Sequence, residues 1–170
     1  MTPSPKKRKK PKIYDAERSW NYCLWLLSRR AYTVKELRDK LVKKETKPEV
    51  IEQTLERLKE RKFVNDADFA AMYVRSRQTQ KGPIALRREL FRKGVAEEVV
   101  GESLSALDED TQTETAAELL VKNAWRFNKD DPRKNYAKAY AFLARRGFGS
   151  DVVKRAIEES AVLELNGDEG

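Results

Sequence analysis

The chain has 170 residues and a net charge of +8, with 39% hydrophobic and 38% charged residues, enough for one ordinary domain or a short array of small ones. A single cysteine excludes an intrachain disulfide and a cysteine-based zinc cluster, and the lack of histidine removes the usual general base and the commonest metal ligand. No stretch approaches the roughly 20 apolar residues of a membrane span, and the start lacks the apolar core of a signal peptide, so the expected location is the cytoplasm.

Residues 1–13 carry Lys6, Lys7, Arg8, Lys9, Lys10 and Lys12 with no acid, a tail suited to sequence-independent contact with phosphates. From Tyr14 to Ser28, Ala16, Trp20, Cys23, Leu24 and Leu27 recur at helical spacing, which makes Cys23 a buried free thiol. Thr33 with Glu36 forms a capping box that opens a second helix through Leu37 and Leu41. Pro48 begins a third, which presents Val50, Ile51, Thr54, Leu55 and Leu58.

The same unit then returns. With a shift of 49 residues and no gap, Leu37 falls on Leu86, Leu41 on Leu90, Val42 on Phe91, Ile51 on Val100 and Leu55 on Leu104. Upstream, Trp20 falls on Phe69 and Cys23 on Met72. Pro83 suits a first helical turn, Leu86, Leu90 and Phe91 mark one apolar side, and Gly94 is the left-handed residue that ends the helix. With a further shift of 53, Leu90 meets Leu143, Gly94 meets Gly147, Val100 meets Val153 and Leu104 meets Ile157. In this third copy Ala117, Leu120, Val121, Ala124 and Trp125 form the apolar side of the first helix, and Ser150 is the expected N-cap of the last.

The periodicity therefore predicts an all-α fold: an elongated, curved tandem array of three three-helix repeats. The expected boundaries are a disordered basic tail (1–13), repeats at 14–64, 65–110 and 111–160, and a disordered acidic end (161–170), with hinges near Asn65-Asp66 and, more loosely, Asp108–Thr111.

The middle repeat is the most basic part of this array. Arg75, Arg77, Lys81, Arg87, Arg88, Arg92 and Lys93 lie close together against a single Glu89. Such a strip can neutralise phosphates or meet an acidic protein surface, and a solvated helix face is the plain alternative. In the third repeat Arg133, Lys134, Lys138, Arg145 and Arg146 are also concentrated, while Trp125, Tyr136 and Tyr140 read as core aromatics. The third helix of each unit carries carboxylates, such as Glu97, Glu98 and Glu102, where a major-groove reading helix needs Arg, Asn or Gln. Operator recognition is therefore not expected, and no group of residues suggests a catalytic, metal or cofactor site.

Thr33-Val34-Lys35-Glu36-Leu37, Phe63-Val64-Asn65-Asp66-Ala67-Asp68-Phe69-Ala70 and the block from Lys81-Gly82-Pro83 to Arg92-Lys93-Gly94 resemble the bacterial RecX family across about residues 14–160. That resemblance implies a regulator, not an enzyme, and the chain is expected to be a monomer. Its partner would be the RecA filament on DNA, which it would restrain in ATP hydrolysis, strand exchange and co-protease action. The basic strip is assigned to the contact on charge alone, because the family motif does not fix binding residues. End-capping and groove binding both remain open. A nucleic-acid-binding protein acting without RecA, on single- or double-stranded DNA, is the alternative.

Overall fold

A computed structural model describes residues 14–127 and 131–161. The tail cations from Lys6 to Lys12, residues 128–130 and the acidic end beyond 161 lie outside the described residues. The described residues form nine α-helices and no strand: α1 (Ala16–Leu27), α2 (Val34–Val42), α3 (Pro48–Glu60), α4 (Asp66–Arg77), α5 (Pro83–Arg92), α6 (Glu97–Leu104), α7 (Glu109–Lys122), α8 (Pro132–Arg145) and α9 (Ser150–Ser160). They divide into two compact units, residues 1–69 and 70–170, with the division falling inside α4.

In the first unit, α1 and α2 both pack on α3. Cys23, Leu26, Leu37, Leu41, Ile51, Leu55 and Leu58 make its core. Burial pushes the Cys23 thiol up to about 11, so it is a protonated core side chain. Thr33 and Glu36 close the expected capping box on α2, whose Val34 N–H is taken by the Asp66 carboxylate at 2.9 Å. In the second unit, α5 packs on α6, and α9 lies against both α7 and α8. Leu120, Phe142, Leu143, Val153 and Ile157 fill the core of the third repeat.

The repeat is visible in the turns between second and third helices. Glu45, Gly94 and Gly147 occupy the same place in their units and all have positive φ: 55°, 80° and 85°. Each turn closes with the next residue's N–H on a carbonyl deep in the preceding helix: Thr46 on Leu41, Val95 on Leu90 and Phe148 on Leu143. This is the Schellman closure, and glycine is its natural residue. Glu45 supports the same geometry with a side chain, at a steric cost.

Four expectations need correction. The ungapped register of 49 holds from the second helix onward but fails in the first. Asp66 stands 50 residues after Ala16, whereas Pro83 stands 49 after Val34, because the α1–α2 connection is one residue longer than α4–α5. One residue turns a helix by about 100°, so Cys23 is fully buried while its assigned equivalent Met72 is 46% exposed. At a shift of 50 Cys23 falls on Tyr73, which is buried. Second, α9 starts at Ser150 with Gly149 as N-cap, so the Ser150 side chain is not the cap. Third, Trp125 and Val121 are exposed. Helix α7 ends at Lys122, and Trp125 stands in the separate 3-10 turn Ala124–Arg126, where α-helical spacing no longer applies. Fourth, Tyr136 is exposed, since α8 turns Asn135, Ala139, Phe142 and Leu143 inward instead, whereas Tyr140 packs half-buried against the core as expected. The Asp108–Thr111 stretch is the start of α7, where Asp108 accepts the Thr111 N–H at 2.8 Å.

Replacing Glu45 by glycine removes the steric cost of the left-handed turn. The expected gain is about 1 kcal/mol, read as a raised midpoint in thermal or urea unfolding.

Candidate binding surface

The second and third repeats join through backbone. Helix α5 has no side-chain cap at its N-terminus, and Pro83 at its first position has no N–H to give. The Gly82 N–H instead donates to the Arg146 carbonyl at 2.9 Å, and the Ile84 N–H to the Gly147 carbonyl at 3.1 Å. The exposed carbonyls at the end of α8 thus satisfy the exposed donors at the start of α5. Glycine is required on both sides. A Cβ on Gly82 would collide with the Gly147 carbonyl, and one on Gly147 with the backbone and Cβ of Ala85.

This contact sets where the sequence-predicted cations stand. Lys81 is paired with Glu89, whose other oxygen accepts the Tyr73 hydroxyl at 2.8 Å. Arg77 lies over the Tyr73 ring at 4.5 Å and Lys93 at 5.6 Å. Burial alone would raise Glu89, but the hydrogen bonds from Lys81 and Tyr73 outweigh it and hold the carboxyl below its ordinary range. Arg87 is paired with Glu97, an acid outside the strip itself. Lys81, Arg77, Lys93 and Arg87 are therefore engaged within the fold, whereas Arg75, Arg88 and Arg92 have no ion pair among the described residues.

The exposed side of α5 is not purely cationic. Ile84 is 56% and Phe91 39% exposed, and with Arg88 they stand at i, i+4 and i+7 on one face. Arg92 continues the Arg88 row one turn on. The equivalent of Phe91 in the first repeat, Val42, is likewise apolar and exposed. Sequence reading placed Phe91 with Leu86 and Leu90 on one apolar side. In the structure Leu86 and Leu90 are buried and Phe91 looks outward, because it stands about 140° round the helix from Leu86.

A further group was missed as a functional unit. Arg126 and Arg146 share the Phe142 ring, with guanidinium carbons 5.3 and 3.8 Å from its centroid. Arg145 lines a hollow with Arg126 and Lys138 and a second one with Arg88 and Lys81. The signal in the sequence was the Arg145-Arg146 pair beside a turn glycine, but Arg126 is brought in only by the fold. Tyr136 and Tyr140 stand on the other flank of α8 from Lys138 and Arg145, so the helix does not bring these rings to the arginines. Among the described residues no cluster of His, Cys, Asp or Glu could hold a metal ion, and no helix is long and apolar enough to cross a membrane.

Comparison with known proteins adds three findings. Family models for the first, second and third three-helix domains of RecX match residues 20–58, 65–104 and 110–157. The regulatory protein RecX of Deinococcus radiodurans is 37% identical over 159 residues, covering 91% of this chain and 75% of that protein. The Bacillus subtilis regulatory protein RecX is 34% identical over 157 residues, and the chain spans only 58% of its length. The crystal structure of RecX from Lactobacillus salivarius superposes with a TM-score of 0.78 at 28% identity, covering 88% of this chain and 97% of that one.

Glu89→Gln would remove the charge that holds Lys81. Because the folded Glu89 carboxyl titrates below its unfolded value, its contribution is full above the ordinary carboxylate range and is lost as pH falls through the folded pKa. The variant is expected to be less stable than the parent at pH 7, with the difference closing towards pH 3 in urea titrations.

Proposed function

We propose, from the premise that this chain belongs to the RecX family of regulatory proteins, that it binds RecA filaments on DNA and restrains their ATP hydrolysis, strand exchange and co-protease action. It acts as a cytoplasmic monomer and by binding, not by catalysis. The observation that carries the contact assignment is the outer face of α5, where exposed Ile84 and Phe91 flank Arg88 and Arg92, which have no ion pair among the described residues. Apolar anchors among cations suit a protein surface with an apolar hollow rimmed by carboxylates. Naked nucleic acid would use the charges and leave Ile84 and Phe91 without a role.

Restraint follows if the regulator binds one filament state better than another, since a ligand shifts an equilibrium only by its differential affinity. Occupying a filament end stops growth at low ratios to RecA, whereas occupying the groove requires many copies. A titration of ATP hydrolysis separates these modes by its saturation point.

The test adds the protein to RecA assembled on single-stranded DNA at fixed salt. Inhibition of ATP hydrolysis is expected to survive deletion of residues 1–13. Arg88→Glu with Arg92→Glu, and separately Ile84→Ser with Phe91→Ser, are each expected to weaken it at least tenfold. Unchanged inhibition by both folded double variants would discard the α5 face. No inhibition by the parent protein, alongside DNA binding that is the same with and without RecA, would discard the regulator reading for a plain nucleic-acid binder.

A further inference from the structure

Some arginines of this fold are given carboxylates, and others, such as Arg57 and Arg77, lie over aromatic rings. Arg38 forks onto Glu52 with hydrogen bonds of 3.1 and 2.8 Å, and Arg155 collects Glu109, Asp110 and Glu159. Arg126, Arg145 and Arg146 have no carboxylate partner among the described residues, yet they stand near enough to act on one another. Burial, and then the charges of Arg126 and Arg145, hold the Arg146 guanidinium below its ordinary value. The group is also held in place. Phe142 lies under two of the three guanidiniums, whose central carbons stand 5.3 and 3.8 Å from its ring centroid. The Arg146 backbone is anchored as well, since its carbonyl receives the Gly82 N–H.

Like charges gathered this way raise the free energy of the empty surface, and an external polyanion relieves it. We propose that Arg126, Arg145 and Arg146 form a binding site for the phosphodiester backbone of single-stranded DNA, held without regard to base. Three features select this ligand. Arg145 borders two adjoining hollows of about 450 and 460 Å³, so the anion must present negative groups in series along a line. A sugar–phosphate strand carries one charge per nucleotide and can set successive phosphates against both hollows. The guanidinium fork pairs bidentately with phosphate oxygens, and Glu89, the one carboxylate in the two linings, is already taken by Lys81 and the Tyr73 hydroxyl.

The site gives the proposed filament regulator a direct hold on DNA, and it rests on that reading for its role in the cell. It is tested without RecA. The full chain is titrated against a labelled oligothymidylate by fluorescence anisotropy over a series of salt concentrations. Three proteins are compared: the parent, Arg126→Ala/Arg145→Ala/Arg146→Ala, and Val121→Ser, an exposed position outside both surfaces, as a reference. Each phosphate contact on a single strand contributes about 0.7 to the slope of log affinity on log salt. The triple variant is therefore expected to lower that slope by about 2 and to weaken binding at least tenfold at low salt, with the reference unchanged. Should the triple variant fail to fold by circular dichroism, exposed Arg145→Ala alone is expected to lower the slope by about 0.7. An unchanged slope in a folded arginine variant overturns the site. So does a variant that keeps its DNA affinity but loses RecA inhibition, because the arginines would then face protein. Failure of the regulator reading would show separately, as absent inhibition by a parent that still binds the oligonucleotide.

Discussion

At the joint of the second and third repeats, the start of α5 and the end of α8 meet through peptide groups alone, with Gly82 and Gly147 in contact where any side chain would force them apart. Each helix end supplies what the other lacks. The start of α5 has donors and no side-chain cap, and the end of α8 has carbonyls that its own turns leave open. A hydrogen bond of this kind contributes about 1 kcal/mol net, but a buried peptide group left without a partner costs about 1–3 kcal/mol. The joint therefore penalises separation more than it rewards contact. It fixes the distance and the rotation between two small helical bundles, neither of which has a large core.

That fixed geometry gives the cations their meaning. Because α5 abuts the end of α8, Lys81 and Arg88 border the same hollow as Arg145 and Arg146. Glu89 removes Lys81 from play, and Tyr73 gathers Arg77 and Lys93, so charge that looks uniform along the strip is divided into structural and available parts. Available charge then lies in two settings. On the outer face of α5 it accompanies exposed apolar side chains, and around Phe142 it accompanies concavity. On the proposed reading the first meets protein and the second meets phosphate, and a regulator of a nucleoprotein filament has use for both.

The tandem three-helix plan was legible because it rests on short-range chemistry. The capping box at Thr33, the first-turn prolines Pro48 and Pro83, and the glycines Gly94 and Gly147 each act within a few residues of themselves. Leu37, Leu86 and Ala139 could be aligned because a buried helical stripe repeats at a period the backbone dictates. What escaped depended on distance or on a single residue of phase. One additional residue between α1 and α2 was invisible to an ungapped register and rotated the first helices out of correspondence. Trp125 was placed by a periodicity that ended with α7. Glu45 gave no turn signal, since glutamate seldom adopts a left-handed backbone. The role of Gly82 could not be read at all, because the group that excludes its side chain lies 65 residues further along the chain, at Gly147. The pairing of Arg87 with Glu97 and the sharing of Phe142 by Arg126 and Arg146 are likewise products of folding.

Amide hydrogen exchange at Gly82 and Ile84 tests the joint most directly. If these two donors are sealed against the end of α8, they exchange only when the second and third repeats come apart, and their protection equals that of amides in the middle of α8. Exchange of both at the rate of open chain, while the middles of α5 and α8 stay protected, would show that the two repeats are not clasped and that the cationic hollow they border is not a fixed site.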